Sequence, residues 1–276
     1  MIKYPNNQKR ITAIKSANEI LHSTSQLFLI SKREKKPHGC GVLITYNSKY
    51  YCLSNSHVLN REKFPEVFVL DDSYQPVLLE GGLMYSEKNL DPDYHSDNFD
   101  VGIMELTAQV AQKFIASGYT FLEFSKIETN VSLLRNSVTM IAAYPANKTK
   151  FNIKTKELKF NPQIIRTIPS IKDYSSLGFP IAFHHVIEYP RKSFRETSTG
   201  TKITAALPHG MSGSGLWILV GESEDYRPIL IGILSEYHDN RSLIFSTKID
   251  IYLSIIKQLF DTTLPYEGIV AKLEIN

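Results

Sequence analysis

Three residues far apart in the chain have the types and settings that nucleophilic catalysis requires. They are His57 in "YYCLSNSHVLN", Asp100 in "DNFDVGIMEL" and Ser212 in "LPHGMSGSGLW". A serine hydroxyl is a weak nucleophile alone. It needs a base within hydrogen-bond reach, and the base needs an acid that fixes its tautomer and stabilises its cation. In this pattern His57 takes the proton of Ser212, and Asp100 holds the other ring nitrogen of His57. Gly210 and Gly213 let the chain turn tightly around the serine. The amides of Gly210 and Ser212 are then expected to converge as an oxyanion hole, where losing one donor typically costs about 10²–10³ in rate. Each piece also has a plain structural reading: a packed histidine, a turn aspartate, a glycine turn. The joint occurrence, in the order His, Asp, Ser and each at a strand boundary, points to chemistry.

Other chemistries fit less well. An α/β-hydrolase elbow needs G-x-S-x-G before a helix. Here Ser214 stands in place of the last glycine, and "GLWILV" reads as a strand. The subtilisin order, Asp before His before Ser, does not match. The chain carries no H-E-x-x-H, C-x-x-C or phosphate-loop motif, so neither a metal nor another cofactor is expected. His184 and His185 are adjacent and alternate across a strand, which suits a shared metal poorly. The net charge of +3 comes with no Lys/Arg stripe, so nucleic acid is not an expected partner. The run at 32–36 reads as a solvated loop. The N-terminus lacks the apolar core of about 7–15 residues that a secretory signal carries. No apolar run approaches the ~20 residues of a membrane helix. A cytoplasmic protein without a membrane partner is the expectation.

The elements that must position these residues are mostly strands. Residues 8–22 read as a helix, with Ile11, Ile14, Ile20 and Leu21 on one stripe. About fourteen short runs rich in Val, Ile, Tyr and Phe follow, separated by Gly, Pro, Asn and Ser. Further helices are expected at 107–117 and 249–260. A parallel sheet would need a helix after most strands, and the strand count is too large for one small barrel. The expected fold is all-β: two packed antiparallel six-stranded β-barrels with an N-terminal and a C-terminal helix, making a single domain over 1–276. The first barrel spans about 25–125 and the second about 130–248. A hairpin turn at Asn47 and Ser48 pairs 43 with 52 and 40 with 55. Cys40 and Cys52 then face opposite ways and stay free thiols of the core.

With these motifs in place, the chain resembles a trypsin-like (chymotrypsin-fold) serine protease of the bacterial, disulfide-free type. "GCGVLI" through "YYCLSNSHVL" resembles that family's hairpin leading to the catalytic His. "DVGIMEL" resembles its Asp strand, and "GMSGSGLW" its nucleophile loop. "LIGILSEY" resembles the strand lining the substrate cleft, and "FSTKIDIYLSII" the last strand and closing helix. The match spans roughly 25–260. It implies an endopeptidase acting on a protein or peptide through an acyl-enzyme. It also implies that Ser235 lies near Asp100, and that 235–237 pair with substrate as an added strand.

Departures from the family sharpen the expectation. Met211 stands where secreted members carry an Asp that pairs with a freshly cut N-terminus. Activation by N-terminal insertion is therefore not expected, and control falls to a partner protein, a ligand or loop ordering. Ala206, six residues before the nucleophile, replaces the charge that binds basic side chains; Leu207 follows, and Leu243 and Ile244 face it. Tyr237 makes the pocket shallow. The expected residue before the scissile bond is small or medium and apolar, with His209 and Glu236 on the rim. The segment 145–200 is expected to hold extra hairpins. Two alternatives remain open: a catalytically silent binding module on the same fold, and a serine esterase, whose acyl-enzyme chemistry is the same.

Overall fold

The structure is a computed structural model that describes residues 19–31, 34–86, 99–134, 137–152, 157–195, 201–221 and 227–266. The alternating apolar runs become strands in two sheets. The first holds β1 (Thr24–Ser31), β2 (Glu34–Tyr46), β3 (Lys49–Ser54), β4 (Val67–Leu70), β5 (Pro76–Leu78), β6 (Gly81–Tyr85), β7 (Gly102–Leu106) and β8 (Leu122–Glu123). Its order is β5-β4-β1-β2-β3-β7-β6, with β8 beside β2. β5 and β6 lie at opposite edges of that order, yet only Leu79 and Glu80 separate them in the chain. So short a link reaches only about 10 Å, so the sheet must curl until its edges approach. Gly81 sets β6 tightly against β7: with φ of 150°, a Cβ there would stand 1.8 Å from the Glu105 carbonyl oxygen.

The β2–β3 turn follows from its sequence. Asn47 and Ser48 both sit in the left-handed region, at φ of 51° and 63°, as a two-residue hairpin loop requires. The register pairs Leu43 with Cys52 as expected. Cys40 and Cys52 are buried free thiols.

The second sheet is a closed barrel. Its strands are β9 (Thr139–Ala143), β12 (Gln163–Ser170), β13 (His184–Glu188), β16 (Gly215–Val220), β17 (Arg227–His238) and β18 (Leu243–Lys248), in the order β12-β13-β18-β17-β16-β9. Two hairpins stand off it within the long 145–203 stretch: β10 (Lys150–Asn152) with β11 (Glu157–Lys159), and β14 (Phe194–Arg195) with β15 (Lys202–Ile203). The architecture is the expected pair of β units: one is a closed six-stranded barrel, and the other is a curled half-barrel of eight strands, β8 running parallel to β2, where a six-stranded antiparallel barrel was expected.

Helices are few. Residues 19–22 form a helical turn, α1; the rest of the helix expected at 8–22 lies outside the described residues. α2 (Ser56–Leu59) was not expected, since four residues carry no period to read. α3 (Ala108–Ala116) falls where expected, capped by the Thr107 hydroxyl, which accepts from Val110 N. α4 (Ile249–Ile255) continues as a wider π-turn over Ile256–Phe260. No described helix is long and apolar enough to cross a membrane.

Each unit has its own apolar cluster: Leu43, Val69 and Met104 in the first, Ile187, Leu216 and Ile231 in the second. A third and larger cluster lies between them. It joins Val42, Tyr51 and Ile103 of the half-barrel to Trp217 and Leu230 of the barrel and Ile249, Tyr252 and Ile255 of α4.

Candidate active site

His57 sits on α2, directly after β3 ends. Ser54 and Asn55 at that junction are fully buried, whereas half of the His57 side-chain surface is exposed. Asp100 precedes β7 and meets the same turn. Its carboxylate Oδ2 lies 2.6 Å from His57 Nδ1, and its Oδ1 accepts from the His57 backbone N–H at 3.1 Å. Its carbonyl accepts from Asn55 Nδ2 at 3.1 Å and Ser56 N at 3.2 Å. An ionised carboxylate only accepts, so Nδ1 carries a proton and Nε2 keeps the lone pair a base needs. Asp100 adopts φ of 47°, a left-handed conformation uncommon outside glycine and marked by strain. The four donors around it hold that conformation in place.

The surroundings press the pair together. A Cβ on Gly102 would stand 2.6 Å from the Asn55 carbonyl oxygen, so β7 approaches α2 as closely as only glycine permits. Thr247 Oγ1 of β18 donates to the Phe99 carbonyl at 2.6 Å, and Tyr252 OH of α4 donates to the Ser54 carbonyl at 2.8 Å. The barrel and α4 thus grip both chain segments that carry the pair. His38 lies near His57, its ring 4.3 Å from Phe64. Burial and then the His57 charge hold its pKa below the usual histidine value.

The turn carrying Ser212 is fixed peptide by peptide. Across the units 209–210 to 212–213, every carbonyl has a donor. His209 O accepts from Ala146 N (2.8 Å), Gly210 O from the Cys40 thiol (3.2 Å), Met211 O from Ser214 N (3.0 Å) and Ser212 O from Cys40 N (2.7 Å). Of the four amides, Met211 N donates to Pro208 O and Gly213 N to Leu234 O. The amides of Gly210 and Ser212 have no intramolecular acceptor among the described residues. Both residues are partly exposed, so the two amides, one of them the serine's own, are open to a ligand beside the serine expected to attack. Gly210 and Gly213 adopt φ of 80° and 85°, and a Cβ on Gly213 would meet the Cys40 carbonyl oxygen at 2.0 Å. Ser212 is partly exposed and Ser214 wholly buried, so Ser212 is the serine a substrate can reach.

β2 brings the two halves together. Gly39 lies between them: a Cβ there would stand 2.8 Å from the Val58 methyls and 3.2 Å from the Ser212 carbonyl oxygen. The Cys40 carbonyl also accepts from Ser54 Oγ at 2.6 Å, at the end of the His57 strand. No hydrogen bond joins the Ser212 hydroxyl to His57 among the described residues. Such contacts are often long before substrate binds. Burial pushes the Cys40 thiol up to about 11 and the Cys52 thiol up to about 12, so neither is a thiolate nucleophile at neutral pH.

The expected substrate residues fall along one flank. Ala206 is buried; its carbonyl accepts from Tyr189 OH (3.1 Å) and Arg191 Nε (3.3 Å), two partners sequence reasoning missed. Leu207 and His209 are exposed. Ser235 donates to the Phe245 carbonyl at 3.2 Å, so its hydroxyl is engaged there and makes no bond to Asp100 among the described residues. Glu236 pairs with His238 Nε2 at 2.9 Å, and Tyr237 OH donates to Asp239. Tyr237 pairs with Ile244, and His238 with Leu243, across β18. The β16–β17 ladder ends at Gly215 with Ile233. Beyond Leu234, the edge of 235–237 toward the nucleophile turn therefore carries no strand among the described residues. Met211 is buried among Tyr189, Ala205 and Leu216 in the barrel core.

His184 and His185 are buried in β13. Burial, helped by the nearby Lys248 charge, brings His185 down to about 3. No cluster of metal-ligating side chains occurs among the described residues.

No family model matches the chain, and no curated protein matches it. Solved structures do. A serine endoprotease from Yersinia pestis is 14% identical with a TM-score of 0.49, the match covering 94% of this chain and 67% of that one. A Glu endopeptidase is 14% identical with a TM-score of 0.45, covering 83% and 85%. The tobacco vein mottling virus protease is 12% identical with a TM-score of 0.44, covering 90% and 82%.

Proposed function

We propose that this chain is a serine endopeptidase in which His57, Asp100 and Ser212 act as a triad. The observation that carries the reading is the 2.6 Å pair of His57 Nδ1 with Asp100 Oδ2, set across β2 from a serine turn that leaves two amides unspent. His57 Nε2 takes the Ser212 proton as Oγ attacks the peptide carbonyl. The tetrahedral oxygen, now negative, is received by the amides of Gly210 and Ser212. His57 gives its proton to the leaving amine, and an acyl-enzyme remains. Water, deprotonated by His57, then releases the acid. Asp100 stays ionised throughout and stabilises the imidazolium.

The open edge at 235–237 favours a peptide over a simple ester, because an extended chain can add to it as a strand. Ala206 and Leu207, in place of a charge, support a small or medium apolar residue before the scissile bond. Tyr237, His209 and Glu236 frame that pocket. Buried apolar Met211 supports a loop that is not ordered by an inserted N-terminus; control by a partner protein, and a cytoplasmic setting, belong to the same reading.

A fluorophosphonate probe tests the core of this proposal. The wild-type protein should label and Ser212→Ala should not. An unlabelled wild type overturns the reading, and labelling that persists in Ser212→Ala assigns the wrong serine. A peptide-library cleavage profile then reads the pocket.

A further inference from the structure

We propose that the turn at 145–149 positions the oxyanion hole, with the Ala146 amide as its contact and Gln26 as its tether. This rests on the proteolytic reading above.

The peptide units that present the two free amides are 209–210 and 211–212. The described chain has no cis peptide. In a trans unit the N–H and C=O point in opposite directions, so whatever holds the carbonyl aims the amide. For 211–212 the holder is Ser214 N, inside the same turn, at 3.0 Å. For 209–210 it is Ala146 N at 2.8 Å, from a different segment. If the 209–210 unit turned over, the His209 carbonyl would face the site, replacing a donor with an acceptor. Gly210 is well suited to such a flip, because glycine has no Cβ to oppose it. The Ala146 contact resists the flip. The fit is close: a Cβ on Gly210 would lie 2.9 Å from Ala146 N.

The turn is itself held. Gln26, only 2% exposed on β1, donates through Nε2 to the Tyr144 carbonyl (3.2 Å) and accepts through Oε1 from Thr149 Oγ1 (3.0 Å). These bonds bracket the short 3-10 helix Ala146–Lys148. A buried amide with both ends engaged is costly to displace. The half-barrel thereby sets the direction of an amide that belongs to the other unit.

Ala146→Pro is the direct test. It removes the donor and places ring atoms where the proton was. The backbone accommodates it: position 146 opens a 3-10 helix, a place proline favours. Pro145 already has φ of −60° and ψ of 133°, allowed before proline. Ala146→Pro should lower the fluorophosphonate labelling rate and kcat by about 10²-fold, with KM unchanged and the acid limb of the pH–rate profile unmoved. Ala146→Gly, which keeps the N–H, should recover the rate. Labelling of Ala146→Pro at the wild-type rate, or a loss confined to KM, overturns the proposal. If circular dichroism shows Ala146→Pro unfolded, Gln26→Met replaces it: both bonds to the turn vanish at similar volume. A lower kcat at constant KM then supports the proposal, and an unchanged kcat overturns it. Wild-type protein that fails to label sinks the proteolytic reading itself; a labelled wild type with an equally labelled variant sinks only this inference.

Discussion

Asp100 concentrates the cost of the site in one residue. Its left-handed backbone is unfavourable, yet it lets one side chain serve the His57 ring and the His57 amide together while its carbonyl caps the same turn. Asp100→Asn should keep the fold and lose the chemistry, because an amide can present its NH₂ to Nδ1 and select the wrong tautomer. We expect kcat to fall by about 10⁴, measured with a cleavable peptide, with thermal unfolding little changed. At this scale the sequence was informative where residue type is the chemistry. His57, Asp100 and Ser212 stand out because few residues can be base, acid and nucleophile. Ala146 does not, since its contribution is a backbone N–H that nearly any residue has. Tyr189 and Arg191 were hidden for a related reason: both act on a backbone carbonyl 15 or more positions away.

At the scale of elements, β2 is the member on which the others converge. Its Gly39 and Cys40 touch the turn of the serine, and the same two residues meet Val58 and Ser54 on either side of the histidine. β7 completes the arrangement through Gly102. Gly102→Ala should force β7 away from α2, because a methyl would lie 2.6 Å from the Asn55 carbonyl. We expect a loss of about 1–3 kcal/mol in stability together with a slower labelling rate, read by thermal melts and by the probe. β12 was legible from its alternation and β17 from its continuous apolar run; β2 was legible only in its apolar half, because Glu34–Lys36, read as part of a solvated loop, form its exposed start. β5, β6, β8 and β14 were not: β8 and β14 are two residues long, and β5 and β6 open on Pro or Gly, so none shows a period. α2 escaped because four residues are too few to show a period, although it bears His57.

The whole molecule carries a pH dependence from a group outside the site. Folded His185 titrates at about 3 against 6.5 for the free side chain. Its folded pKa is lowered, so its burial costs nothing above about pH 6.5, where both states are neutral. As pH falls below that, the unfolded chain binds a proton that the folded chain refuses. Stability should decline by about 1.4 kcal/mol per pH unit from this residue until about pH 3. Urea midpoints of wild type and His185→Gln between pH 7 and 4 should diverge by that trend; parallel curves would refute it. The pair of β units was legible from strand number alone. How the units meet was not, since a period of two says which face of a strand is buried but not against what.

The apolar cluster between the units has a further consequence. It is larger than either internal cluster, and α4 is wedged into it. Separating the units would expose those side chains to water, so the cleft has no hinge about which to open. For the proposed peptidase, substrate entry and product escape would then fall to the surface loops rather than to a swinging of two halves.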